Sequence, residues 1–284
     1  MSSTNDKNKQ KISLIISTFN RPKALRAVLE CLKKQDDRDF EVIIADDGSG
    51  ISTRETIKEF SNKNLEFKIK HVWQENRGFR LAKIRNLAVL ASTGDYLIFL
   101  DGDCIPPPNF ISKHRELSEK GWSVFGQRIL TNQSYANYIE NQYTTLLSKK
   151  YWTIQNFALL CNNKSINRIT PAINLPGNLW RKIGSKRWDK IRGCNWAMWK
   201  EDYLSINGSD ESFEGWGAED KDVCVRLINN GILIKDGRFS SYVLHLWHEK
   251  ASKLKDEEHR RLILERWINK EIYPFIGIFK KSRS

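Results

Sequence analysis

Several features that would assign this chain to a well-marked class are scarce or missing. Its 284 residues include only five cysteines, an odd number with no CxxC pair, which disfavours a disulfide framework or a zinc ribbon. No apolar run approaches the roughly 20 residues that a membrane-spanning helix needs. Residues 1–11 lack an apolar stretch behind their charges, so we expect a flexible tail there and no signal peptide. These absences predict a cytoplasmic protein with reduced thiols.

The signatures of three other protein classes are also missing. No GxGxxG follows the first apolar run, as a dinucleotide oxidoreductase would require. No HExxH argues for a zinc protease, and no RRM, KH or zinc-finger pattern is present. Lys and Arg nevertheless exceed Asp and Glu by 47 to 34, a net charge of +13. This excess predicts attraction to phosphate on nucleotides, nucleic acid or anionic lipid, so a basic nucleic-acid-binding protein without catalysis stays an alternative.

Short apolar runs alternate with amphipathic segments through the first half of the chain. Runs typical of strands buried on both faces predict strands at 12–18, 41–45, 67–73 and 96–100. One helix is predicted to begin at Pro22, with Asn20 as its cap. Two more are predicted over 53–60 and 81–91. This alternation predicts an α/β fold with a mostly parallel central sheet flanked by helices.

Polar clusters follow three of these strands directly. They are Thr18-Phe19-Asn20, Asp46-Asp47 and Asp101-Gly102-Asp103. Because ligands bind at the carboxyl ends of strands in open α/β sheets, the clusters predict one pocket. Two carboxylates around a glycine suit Mg²⁺ or Mn²⁺, which also takes phosphate oxygens. The Asp46-Asp47 carboxylates can accept hydrogen bonds from a base or a ribose.

Two further segments carry candidate chemistry. The basic run with Arg77 and Arg85 offers guanidinium groups for a diphosphate, or else forms a solvated face. In Glu214–Asp222, Trp216 lies between two glycines and could stack on a sugar, and Glu219 and Asp220 open a helix. Those carboxylates either favour the helix dipole or supply a general base for an alcohol. His245 and His248 are candidates to complete a metal site with Asp103.

Taken in order, these motifs resemble the family 2 glycosyltransferases, which have the A-type fold. The resemblance covers about 11–249. Its pieces are IISTFNR at 15–21, ADDGS at 45–49, NRG at 76–78, AKIRN at 82–86 and DGD at 101–103. The segment GWGAED at 215–220 resembles the galactosyltransferase-type second half of β-1,4-galactosyltransferases and bacterial chondroitin-type polymerases.

The resemblance implies a role for each motif. Asp47 would read the uracil, Asp101 would contact the ribose, and Asp103 would bind Mn²⁺ or Mg²⁺ with His245 or His248. Asp220 would be the catalytic base and Glu219 would help to hold the acceptor. The implied donor-binding residues are Thr18, Asn20, Arg21, Asp47, Arg77, Arg85, Asp101 and Trp216.

The implied reaction is a metal-dependent, inverting transfer of a hexose from a UDP-sugar. The hexose would be galactose, N-acetylgalactosamine or glucose, and the acceptor a saccharide or a lipid-linked saccharide. The implied setting is bacterial surface polysaccharide or lipopolysaccharide synthesis, with no nucleic-acid partner.

The chain divides by composition into a nucleotide-sugar-binding half at 12–130 and an acceptor-binding half with the base at 131–249. The second half holds an irregular, aromatic insertion over 133–192. Within 250–284 we expect an amphipathic helix with Leu264, Trp267, Ile268 and Ile272 on its apolar face, then a basic tail. This last part either packs on its own domain or docks on the inner face of an anionic cell membrane.

Overall fold

The structure, a computed structural model, describes residues 10–177, 179–249 and 256–279. Its strands are β1 (Ile12–Thr18), β2 (Phe40–Asp46), β3 (Ile69–Trp73), β4 (Tyr96–Asp101), β5 (Cys104–Ile105), β6 (Trp122–Phe125), β7 (Gln127–Leu130), β8 (Asn195–Trp199), β9 (Leu233–Asp236) and β10 (Tyr242–His245). Its helices are α1 (Pro22–Leu32), α2 (Ile51–Ser61), α3 (Leu81–Ala91), α4 (Phe110–Leu117), α5 (Gln133–Asn141), α6 (Ile154–Asn162), α7 (Lys200–Ser205), α8 (Glu219–Asn229) and α9 (Asp256–Asn269). The predicted strands and helices of the first half are present.

A seven-stranded sheet forms the centre of the fold, in the order β3-β2-β1-β4-β8-β6-β9. Its first four strands are parallel, and β8 runs antiparallel to both of its neighbours. A second sheet pairs β10 with β5 and β7. The predicted α/β fold with a mostly parallel central sheet is therefore confirmed.

Both faces of the central sheet are covered, which explains why its strands are apolar at successive positions. Alternate residues of a strand point to opposite faces. Leu14 and Ile16 accordingly pack in one core cluster with α1, while Ile15 packs in another with α3 and α8. Trp196 on β8 is fully buried and stacks on Phe99, with ring centres 4.3 Å apart.

The aromatic insertion holds α5, α6 and several short 3-10 turns. Part of its aromatic content serves packing, because the rings of Tyr151, Trp152 and Phe157 meet edge to face. Phe157 also contacts the ring of Tyr242 on β10. The insertion is thus attached to the second sheet through ring contacts.

Two local predictions are wrong. Asn20 does not cap α1, since that helix begins after Arg21 with no side-chain cap. Asn20 instead has a φ of 50°, a left-handed conformation that asparagine tolerates, and its Oδ1 accepts a hydrogen bond from Gly50 N at 2.8 Å. The Asn20 side chain therefore joins the loop after β1 to the loop after β2 and is not available to cap α1.

The inward face of α9 also differs from the predicted one. Of the predicted apolar residues, Trp267 and Ile272 pack against the core, but Leu264 and Ile268 are exposed. The side chains of His259, Ile263 and Arg266 are buried instead. The physical reason is a buried ion pair, because Arg266 Nη1 and Nη2 reach Asp222 and Asp210. Residues 1–9 of the predicted flexible tail, 250–255 of the predicted helix and 280–284 of the basic tail lie outside the described residues. Among the described helices, none has both the length and the apolar character to cross a bilayer.

Candidate active site

Three strand ends meet at one edge of the central sheet, as the sequence predicts. The register places Thr18 beside Asp46 and Ser17 beside Asp101. Gly102 N donates to Ser17 O at 2.7 Å. A Cβ on Gly102 would lie 2.9 Å from that oxygen, so glycine allows the acidic turn to approach β1 this closely.

The loop after β2 holds Asp47 in a fixed position. Asp47 Oδ2 accepts a hydrogen bond from Arg80 N at 2.9 Å, and the Gln74 amide donates to its other oxygen. Burial raises the pKa of Asp47, against these hydrogen bonds. The neighbouring Asp46 is instead turned toward His71, with 3.0 Å between its Oδ2 and the ring Nε2. Both carboxylates are therefore buried and held by protein donors, Asp47 by Arg80 and Gln74 and Asp46 by His71.

Thr18 lies between these loops and the acidic turn. Its hydroxyl is buried and has no hydrogen-bond partner among the described residues. A Cβ on Gly102 would lie 3.1 Å from this hydroxyl oxygen. An unpaired buried hydroxyl is costly, which makes Thr18 a candidate to bind a ligand atom.

Asp103 lies in a group of possible metal ligands. One donor atom each of Asp103, Cys104 and His245 lie within 4.8 Å of one another. His245 Nε2 is 3.8 Å from Asp103 Oδ1, and His248 Nε2 is 3.6 Å from Asp103 Oδ2. The pairing of β5 with β10 sets Cys104 opposite His245. Burial lowers the pKa of His245 against the charge of Asp103, which favours the neutral imidazole that metals bind.

Arg21 is a cation beside the same carboxylate. Its Nη1 lies 2.9 Å from Asp103 Oδ2, and its Nη2 contacts Glu140 on α5. Sequence reasoning missed Glu140, because its only signal is a contact between residues 119 positions apart. Arg21 is thus held between two carboxylates.

The first turn of α8 carries Glu219 and Asp220. The preceding Gly215, Gly217 and Ala218 have φ values of 91°, 112° and 75°, a run of left-handed backbone that turns the chain sharply into the helix. Glu219 is largely buried and lies 3.5 Å from Arg85. Burial and the charge of Asp220 raise the pKa of Glu219 to about 7, although Arg85 opposes this.

Gly193 makes room for the Asp220 side chain. A Cβ on Gly193 would lie 2.7 Å from Asp220 Cβ and 2.8 Å from its Oδ2. Asp220 Oδ1 in turn accepts a hydrogen bond from Lys221 N at 2.8 Å. Sequence reasoning missed this role of Gly193, because only a contact across the fold reveals it.

Arg85 and Asp101 join the acidic turn to α8. Buried Arg85 Nη2 lies 3.2 Å from Asp101 Oδ1 and donates to Gly193 O at 3.2 Å. Burial raises the pKa of Asp101 to about 6. The charge of Arg85 opposes this shift, while the charges of Asp103 and Asp220 add to it. Arg85 thus brings Asp101, Gly193 and Glu219 together, and these residues around Arg85 are named the recess.

Two of the sequence-predicted residues lie farther out. Arg77 is at the surface, where it pairs with Glu75 at 2.7 Å and keeps 70% of its side chain exposed. Trp216 is 39% exposed in its glycine loop. A separate cavity of about 380 Å³, lined by Pro107, Trp152 and Tyr242 among others, contains none of the predicted donor, metal or base residues.

Comparison with protein families decides the relationship. The model for "Glycosyl transferase family 2" matches residues 13–170, more than half of the chain. The chain belongs to this family. A second model, described as "N-terminal domain of galactosyltransferase", matches residues 183–249. The predicted family, with its galactosyltransferase-type second half, is confirmed.

Two of the curated relatives are bacterial enzymes. Chondroitin synthase of Escherichia coli is 29% identical over 231 residues, covering 78% of this chain and 32% of its own length. Validoxylamine A glucosyltransferase of Streptomyces hygroscopicus is 26% identical over 251 residues, covering 84% of this chain and 56% of its own length. The chain therefore spans about a third to a half of these relatives.

Solved structures share the fold. TarS of S. aureus in complex with UDP has a TM-score of 0.61 at 18% identity, covering 92% of this chain and 68% of its own. The mannosyltransferase PcManGT of Pyrobaculum calidifontis, in complex with GDP-Man and Mn²⁺, has a TM-score of 0.57 at 14% identity, covering 93% and 64%. These likenesses confirm the A-type glycosyltransferase fold.

Proposed function

We propose that this protein transfers a hexose from a UDP-sugar to a hydroxyl of a saccharide acceptor, with inversion and with a divalent metal. The observation that carries the proposal is the position of the buried Arg85, which contacts Asp101 of the acidic turn and also Glu219, the neighbour of Asp220 in the first turn of α8. Sugar transfer needs an acidic turn that binds the metal and the diphosphate of the donor. It also needs a base close enough to the same pocket to deprotonate the acceptor hydroxyl. Family membership in turn disfavours the alternative of a nucleic-acid-binding protein without catalysis.

The donor half of the site supports nucleotide binding. Asp47, held by Arg80 and Gln74, has oxygens that can accept the N–H of uracil. The unpaired Thr18 hydroxyl and the Asp101 carboxylate lie along the same sheet edge for the sugar of the nucleotide. TarS in complex with UDP and PcManGT in complex with GDP-Man, two proteins with this fold, support a nucleotide-sugar donor.

The residues around Asp103 fit a divalent metal. A carboxylate oxygen with one or two imidazole nitrogens is a donor set that Mn²⁺ accepts, and the three donor atoms of Asp103, Cys104 and His245 are already gathered. We assign the ion to Asp103 with His245, and place the half-exposed His248 second. Bound there, Mn²⁺ or Mg²⁺ would offset the negative charge of the diphosphate.

The chain's own groups then complete the transfer. Asp220 accepts the proton of the acceptor hydroxyl as that oxygen attacks the anomeric carbon. Glu219, beside it, donates or accepts a hydrogen bond to hold the acceptor, and Trp216 offers a ring face to a sugar. The bond between the anomeric carbon and the diphosphate oxygen breaks in the same displacement and UDP leaves, so an α-linked donor gives a β-linked product.

The class of sugar and acceptor rests on the relatives. A chondroitin synthase and a glucosyltransferase among them support a hexose or N-acetylhexosamine donor, such as galactose, N-acetylgalactosamine or glucose. We accordingly propose a saccharide or lipid-linked saccharide acceptor in bacterial surface polysaccharide or lipopolysaccharide synthesis, on the cytoplasmic side of the membrane.

Release of UDP tests the proposal. The purified protein is incubated with a panel of UDP-sugars, with Mn²⁺ or with EDTA, and slow hydrolysis ranks the donors. Asp103→Ala should abolish turnover and weaken UDP–Mn²⁺ binding in a thermal shift assay. Asp220→Asn should abolish turnover but keep that binding, because the base does not hold the nucleotide.

Glu201→Gln is the matched control, since Glu201 is a surface carboxylate with 64% of its side chain exposed. It should leave both measurements unchanged. Undiminished turnover in Asp220→Asn would contradict the base, and EDTA-resistant turnover would contradict the metal.

A further inference from the structure

Residues 273–279, here named the strap, follow α9 and present large apolar side chains to solvent. Phe275 is 70% exposed, Ile276 55% and Phe279 56%. Three such side chains within five residues are unusual on a soluble domain, where single exposed apolar residues are the rule. The strap therefore has the composition of a contact surface.

The backbone of the strap is fixed to the body of the protein. The buried Asp210 carboxylate accepts hydrogen bonds from Phe275 N at 2.8 Å and Ile276 N at 3.2 Å. The Asn207 side chain accepts from Phe279 N at 2.8 Å and donates to Phe279 O at 3.0 Å. These hydrogen bonds fix the main chain of the strap, from which the exposed side chains project.

Other residues of the strap point the opposite way. Pro274 is buried, and Ile278 packs against the core cluster below the sheet. Ile278 also packs closely against Gly208, since a Cβ on Gly208 would lie 2.7 Å from Ile278 Cδ1. The strap thus divides its apolar residues, since Pro274 and Ile278 anchor it and Ile276 and Phe279 face solvent. The ring of Phe275 lies over the Arg266 guanidinium, 4.9 Å away, and keeps most of its surface exposed.

The cations that follow the strap in sequence favour one kind of partner. Glu271 precedes the strap and Glu211 N donates to Ile276 O at 2.8 Å, whereas residues 272–284 contain no acidic residue and include Lys280, Lys281 and Arg283 directly after the strap. A second copy that docked face to face would bring the same cations together, which is unfavourable. A sequence of aromatic and aliphatic residues followed by lysine and arginine instead suits the boundary of an anionic bilayer. We propose that the strap docks this protein on an anionic membrane surface.

The strap is connected to the catalytic helix. Asp210, which clamps the strap, also pairs with the buried Arg266 of α9, and Arg266 pairs with Asp222 of α8. His259 of α9 lies 2.9 Å from Gly217 O in the loop before α8. Docking would therefore fix the orientation of α8 relative to the lipid surface, a consequence that rests on the proposed function, whereas docking itself does not.

Vesicle flotation with the full chain tests the proposal. Vesicles of phosphatidylcholine alone are compared with vesicles that also contain phosphatidylglycerol, at low and at high salt. The unmodified protein should float with the anionic vesicles at low salt and separate from them at high salt. The triple variant Phe275→Ser, Ile276→Ser, Phe279→Ser should lose flotation. The triple variant Lys280→Gln, Lys281→Gln, Arg283→Gln should partition on the order of a hundredfold less.

Leu179→Ser with Ile183→Ser is the matched control, because these side chains are 84% and 80% exposed elsewhere on the surface. It should float like the unmodified protein. Circular dichroism and hydrolysis of a soluble UDP-sugar should be unchanged in all of these variants, which separates failure of docking from failure of the proposed activity. Equal flotation with neutral vesicles, flotation that survives the serine substitutions, or concentration-dependent dimers without flotation would each overturn the proposal.

Discussion

Replacing Glu219 by Gln should stabilise the protein at alkaline pH and reduce sugar transfer. Burial and the charge of Asp220 raise the pKa of Glu219 from its ordinary 4.5 to about 7. A carboxyl with a higher pKa in the folded state binds its proton more tightly there. Its contribution to stability is therefore complete below the unfolded pKa and is lost as the pH rises through the folded one. At 1.36 kcal/mol per pKa unit, the loss is about 3 kcal/mol.

Urea unfolding across this pH range measures the effect. As the pH rises through 7, the free energy of unfolding of the unmodified protein should fall by about 3 kcal/mol more than that of Glu219→Gln. Asp101, whose pKa is raised to about 6, adds a fall that both proteins share. Asp220→Asn should lack part of the fall that Glu219 causes, because the charge of Asp220 is the second cause of the shift. The surface variant Glu201→Gln should keep it. Parallel pH profiles for Glu219→Gln and the unmodified protein would refute the reasoning.

Three other substitutions examine the site and its support. Gly193→Ala should lower kcat on the order of a hundredfold, because its Cβ would displace Asp220, while calorimetry should show unchanged UDP binding. Glu140→Gln should weaken UDP–Mn²⁺ binding in calorimetry by about 1 kcal/mol, because Arg21 would then pair with Asp103 alone and oppose a second cation there. Asp222→Asn should cost about 3–5 kcal/mol in urea unfolding, because it leaves two buried arginines short of a partner.

The first half of the fold could be predicted because its signals are local. Buried parallel strands are continuous apolar runs, and the helix predicted over 81–91 is α3 with the same bounds. Once the strands are parallel and adjacent, the residues that follow them must share an edge. The meeting of Thr18, Asp46 and Asp101 therefore follows from sequence order and the register of three strands.

The parts that could not be predicted depend on contacts between distant residues. Nothing near Asn20 in sequence shows that Gly50 will take its side chain. The inward face of α9 is set by Arg266, a residue that apolar periodicity assigns to solvent. Glu140 and Gly193 likewise have no motif of their own, because each acts through one contact across the fold.

The sequence left two interpretations of the carboxylates at the start of α8, stabilisation of the helix dipole or chemistry. Asp222 on the same helix shows what a carboxylate placed for stability looks like, since it is fully buried between Arg226 and Arg266. Glu219 is also largely buried, yet it lies beside another carboxylate and shares Arg85 with Asp101. Burying a carboxylate that has no cation of its own costs stability, and the partial charge at the N-terminus of a helix offsets little of that cost. The contrast within one helix therefore favours chemistry for Glu219 and Asp220.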